Sequence, residues 1–125
     1  MNAVSVVDAY FSAWRANDPD RLEQLLAKDV SVKGPLGRIE GAKAYRQALA
    51  WLFGITRDLV IVKQWVDGPD VLNWFDLHHT NGAEPMPAVN WLRVEEGLIT
   101  RVSVAFDPRP ILPAGAQTAK DSDHP

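Results

Sequence analysis

From Asp58 to Phe106 the chain is four runs rich in β-branched and aromatic residues, DLVIVKQWV, VLNWFDLHHT, MPAVNWLRVEE and LITRVSVAF. They are separated by the turn signals DGPD, NGAEP and EG. Short Gly- and Asn-bearing links between such runs are hairpin chemistry, so the economical reading is a four-stranded antiparallel meander. A sheet of this kind buries one face and needs something to cover it.

The first half of the chain supplies the cover. Val7, Tyr10, Phe11 and Trp14 follow the i, i+3, i+4, i+7 spacing of one helix face, which predicts an amphipathic helix over 3–16. In NDPDRLEQLLAKD, Asp18 can cap a second, short helix with Pro19 at its first position, burying Leu22, Leu25 and Leu26. VSVKG alternates briefly and stops at Gly34-Pro35, a short strand and a turn. The helical period returns from Ala42 to Phe53 through Tyr45, Ala48, Leu49 and Leu52, with Gly54 placed for a left-handed cap. Three helices followed by a meander make an α+β domain over residues 1–112. Beyond it PAGAQTAKDSDHP has no hydrophobic periodicity, and 113–125 is expected to be a flexible tail.

Composition removes several function classes. At 125 residues one core is expected. A net charge of -3 and the lack of a basic cluster speak against nucleic acid as a partner. No apolar run approaches the ~18 residues that a membrane span needs, and MNAVSVVDAY lacks the basic start and cleavage site of a signal peptide. With no cysteine, disulfides and thiolate chemistry are excluded, and the expected location is cytoplasmic. His78 and His79 are neighbours on opposite strand faces and His124 is in the tail, so no metal-site spacing exists. No nucleophile elbow, phosphate loop or dinucleotide fingerprint occurs, and no cofactor is expected.

This order of elements, with VVDAYFSAW near the start, NDPDRLEQLLAKDVSVKGPLG, a G-A-K-A-Y-R helix start and a closing RVSVAFDPRPIL, resembles the nuclear transport factor 2-like superfamily. Within it the chain is similar to the SnoaL-like group of ketosteroid isomerases, polyketide cyclases and limonene epoxide hydrolases. The resemblance implies a cone-shaped fold in which three N-terminal helices pack on a curved, mainly antiparallel sheet and enclose a pocket. It places Tyr10 at the oxyanion-hole tyrosine of the isomerases and Asn90 at their protonated aspartic acid. Gly34 stands where those isomerases carry their aspartate base. Asp76 matches an acidic residue of the epoxide hydrolases, while Trp74 replaces the arginine beside it and Val104 the carboxylate that activates water. The resemblance also implies a homodimer through the outer sheet face.

In VLNWFDLHHT, Asp76 and His78 share a face with Leu72 and Trp74, with Cβ atoms about 7 Å apart at a rise of ~3.4 Å per residue. Pointed into the cone, an Asp that orients a His is a general base. Alternatively, burial would lift the Asp pKa and make it the acid or base itself. The opposing face, Phe75 and Leu77 with His79, is at least as apolar, and if it is the inner one Asp76 and His78 are solvated. Asn90 sits among Val89, Trp91 and Leu92, where a strand disfavours it and burial demands a partner. Asp76, His78, Tyr10 and Asn90 are thus the candidate catalytic residues. Trp14, Trp51, Trp74, Met86, Val102, Val104 and Phe106 are the candidate walls for a small apolar ligand. Two functions stay open: a cofactor-independent acid/base enzyme, or a binding or dimerisation module that has lost its base.

Overall fold

The computed structural model describes residues 2–35, 37–82 and 84–109, so the tail expected over 113–125 lies outside the described residues. Helix α1, Ala3–Arg15, starts where the Asn2 side chain accepts from the Ser5 amide at 2.8 Å, and it buries Val6, Val7, Tyr10, Phe11, Ala13 and Trp14. Helix α2, Pro19–Glu23, is capped by Asp18 as its sequence foretells, with the Arg21 amide donating to Oδ1 at 3.1 Å. Helix α3, Ala42–Ile55, buries Tyr45, Leu49 and Phe53.

The strands are β1 Leu26–Gly34, β2 Gly37–Glu40, β3 Thr56–Asp67, β4 Asp70–His79, β5 Met86–Glu95 and β6 Leu98–Phe106. Their order in one six-stranded sheet is β2-β1-β6-β5-β4-β3. The meander β3 to β6 is antiparallel throughout, and β1 joins β6 in parallel. Bulges in β1, in β3 at Val62 and beside Val94 bend the sheet around the helices. The result is the mixed α+β architecture that the sequence pattern implies, with an open, curved sheet rather than a closed barrel. Among the described residues no helix is long and apolar enough to cross a membrane.

Two local expectations are corrected, and one strand is added. Leu26 belongs to β1 rather than α2, because it pairs with Ile99 while the Ile99 amide donates to Leu25 O at 2.8 Å. Gly54 lies inside α3 and is no left-handed cap; the chain runs straight into β3 through Thr56, whose hydroxyl donates to Leu52 O at 2.7 Å. Residues 37–40 form an edge strand that leaves little alternation to read, since three of its four residues are exposed.

Burial along β4 decides the inner face. Val71, Asn73, Phe75 and Leu77 are buried, whereas Leu72 and Trp74 are exposed. Phe75 packs edge-on against Phe11 at 5.6 Å and Trp14 at 6.2 Å between ring centroids, which ties α1 to the sheet.

Candidate functional site

Between the concave side of the sheet and helices α1 and α3 lies a cavity of ≈ 220 Å³. Helix α1 contributes Tyr10 and Trp14, and α3 contributes Tyr45, Ala48, Leu49, Trp51 and Leu52. The strands add Val32, Gly34, Gly37, Ile39, Phe75, Leu77, Asn90, Val104 and Phe106, and the β1–β2 turn adds Pro35. None of these residues is acidic or basic. Such a wall suits an uncharged, largely apolar molecule.

Its polar features are few. The Tyr10 and Tyr45 hydroxyls meet at 2.6 Å, and either can be the donor. Burial raises both phenols: Tyr45 is pushed up to about 12 although its hydrogen bond with Tyr10 pulls the other way. Tyr10 is held well above 10.0 by burial first, then by the proximity of Tyr45. Both are therefore neutral hydrogen-bond donors near pH 7 and not bases. Asn90, 2% exposed, accepts from Asn73 Nδ2 at 2.9 Å, and Asn73 accepts from Gln64 Nε2 at 2.9 Å. The Asn90 NH2 has no acceptor among the described residues, leaving a donor at the cavity wall. The Trp14 Nε1–H is buried without an acceptor among them.

The sequence-predicted residues separate into two sets. Tyr10, Asn90, Trp14, Trp51, Val104 and Phe106 line the cavity as expected. Asp76 and His78 do not: the inner positions of β4 are taken by Phe75 and Leu77, and period-two alternation sends Asp76 and His78 to the outer face. There Asp76 stands opposite Val60 and Pro87, and His78 Nδ1 accepts from Arg57 Nη2 at 3.4 Å. No hydrogen bond joins Asp76 to His78 among the described residues. Trp74 is outward as well, 45% exposed. Met86 and Val102 are buried in the core, Met86 opposite Leu77 and Val102 between Val32 and Leu92, rather than at the cavity wall.

Gly34 lines the cavity, and a Cβ built there would stand 2.9 Å from Val104 Cγ1. Two positions where the resemblance leads one to look for carboxylates are thus mutually filled by an absent and an apolar side chain. Sequence reasoning missed Tyr45 and Asn73. Tyr45 reads as one more residue of an apolar helix stripe. Asn73 carried a usable signal, an amide in mid-strand on the face of Phe75, which the choice of the opposite face discarded.

The SnoaL-like domain model matches residues 7–102. A crystal structure from Kribbella flavida superposes with a TM-score of 0.81 at 28% identity, over 94% of this chain and 95% of that one. A nuclear transport factor 2-like protein from Cytophaga hutchinsonii gives 0.77 at 25% identity, covering 89% and 95%. A limonene-epoxide-hydrolase-like enzyme from M. tuberculosis gives 0.72 at 22% identity, covering 86% and 84%, which is a likeness of fold. Comparison with curated proteins returns no match. The helix-covered curved sheet, its apolar cavity and the span of the family match lead to one assignment: the chain belongs to the SnoaL-like family.

Proposed function

We propose that the chain binds a small, uncharged, mostly apolar molecule by a carbonyl-type oxygen, and that its chemistry is stabilisation of negative charge on that oxygen. The observation that carries this reading is the pairing of an uncharged wall with hydrogen-bond donors from Tyr10, Tyr45 and Asn90. Donors aimed at a developing oxyanion in a dry site typically give ~10² to 10³ in rate. Proton abstraction by a described wall residue has no support, because both phenols are raised and no carboxylate or imidazole lines the cavity among the described residues. Of the two functions left open by the sequence, the binding reading gains and the Asp76 base loses its place.

The test is calorimetric binding of indanone and of indane, which lacks the oxygen, to wild type and to Tyr10→Phe, Tyr45→Phe and Asp76→Asn. Indanone should bind more tightly than indane, by about tenfold, and lose that margin in the tyrosine variants alone. Equal binding of the two probes by wild type would reject the reading.

For the outer sheet face we propose a second copy of this chain as the partner. Trp65, Leu72 and Trp91 stand in one cross-strand row, and Trp74 and Val89 in the next. The tryptophans are held in place: Trp91 Nε1 donates to Asp70 Oδ1 at 2.8 Å, and Lys63 Nζ sits 5.4 Å from the Trp65 ring centroid. Asp70 also pairs with Arg93 at 3.0 Å, so the margin of the patch carries both signs. An apolar centre with a mixed-charge rim is complementary to itself under a twofold rotation.

A further inference from the structure

Resting on the ligand reading above, we infer that Gln64 and Asn73 are positioning residues that set the hydrogen-bonding sense of Asn90, so that the cavity accepts an oxygen acceptor and rejects a donor group. The three amides stand in one row across the sheet, Gln64 opposite Asn73 on β3 and β4, and Asn73 opposite Asn90 on β4 and β5. Gln64 Nε2 donates to Asn73 Oδ1 and Asn73 Nδ2 donates to Asn90 Oδ1, each at 2.9 Å.

A primary amide has one donor end and one acceptor end, so two bonds in series must run in the same sense. Asn73 is 0% and Asn90 2% exposed, so neither can turn alone without leaving a buried group unpaired. The row therefore reverses as a unit or not at all, and in the observed sense it ends on the Asn90 NH2 at the cavity wall. The tyrosine pair does not discriminate in this way, because either hydroxyl can donate to the other and the remaining proton or lone pair suits either kind of ligand. The Trp14 Nε1–H can only donate, so the selectivity that can change sense falls to Asn90, and its direction to the half-buried Gln64 at the far end of the row.

The substitution that isolates this is Gln64→Glu. An ionised carboxylate at 64 accepts only, so Asn73 must turn to donate to it. Asn90 must then donate to Asn73 and present its carbonyl oxygen to the cavity. The probes are indanone, an acceptor; indole, a donor; and indane, neither. Calorimetry on wild type should show indanone preferred over indole, and Gln64→Glu should move that ratio toward indole by about tenfold or more, with indane affinity unchanged as the control for general damage. Without ligand, the Asn90 side-chain amide proton resonances should move downfield as they gain an acceptor. An unchanged ratio with unmoved Asn90 resonances, in a protein whose wild type does prefer indanone, overturns the amide row alone. A wild type that binds indanone no better than indane overturns the pocket reading instead.

Discussion

The hydroxyls of Tyr10 and Tyr45, 35 residues apart in the chain, meet at 2.6 Å where α1 and α3 converge on the cavity. They are the protein's two tyrosines, so an ultraviolet tyrosinate titration reads this pair and nothing else. Tyr45 should half-ionise near pH 12 and Tyr10 well above 10.0, with no tyrosinate signal at pH 10 beyond a small fraction. Because the folded values lie above the ordinary one, the neutral phenols contribute stability that is whole below pH 10. It is lost as pH rises from 10 towards 12, at up to ~1.4 kcal/mol per pH unit for each tyrosine. Half-ionisation of the folded protein at pH 10 would mean that the hydroxyls are open to solvent.

The inner face of β4 predicts unequal costs for adjacent aromatics. Phe75→Ala removes a ring that is 1% exposed and packed on Phe11 and Trp14, and should cost about 3–5 kcal/mol in denaturant unfolding. Trp74→Ala, at a residue 45% exposed, should cost about 1 kcal/mol or less in the monomer. The reverse order would put Asp76 and His78 back on the inner side.

Gly34 is held open by Val104. Gly34→Asp places a Cβ 2.9 Å from Val104 Cγ1 and should destabilise by about 1–3 kcal/mol. Adding Val104→Ala removes the obstructing methyls and should recover a substantial part of that loss. If the double variant is no more stable than Gly34→Asp alone, the close approach is not what limits the position.

A partner copy on the outer face predicts that sedimentation will find a dimer, and that Trp74→Glu and Trp91→Glu will give folded monomers with unchanged far-ultraviolet circular dichroism. A wild type that stays monomeric at high protein concentration contradicts the proposed interface.

The fold was legible because its signals are local and redundant. The Val7–Trp14 stripe, the Asp18-Pro19 start and three glycine-bearing turns between apolar runs each specify an element by themselves. The site was legible only in part, for two physical reasons. Alternation along β4 is equally good on both faces, because a sheet with a tryptophan-rich outer side offers no polar face to mark the exterior. The bulge at Val62 then puts Gln64, and not Lys63, on the row of Asn73, which no strict period-two reading can anticipate. Tyr10 is legible through the family resemblance and Asn90 also through its place in a strand, whereas the bonds that join them to Tyr45 and Asn73 are tertiary facts. Each residue sits on a different element from the one it bonds.

The most direct test is the infrared carbonyl stretch of indanone bound to the protein. Donation from the tyrosine pair and Asn90 should lower the frequency relative to indanone in an apolar solvent, Tyr10→Phe and Tyr45→Phe should each reduce that shift, and Asp76→Asn should leave it unchanged. A stretch indistinguishable from that in the apolar solvent, or one that responds to Asp76→Asn and not to the tyrosines, would contradict a ligand oxygen held on the Phe75 side of the sheet.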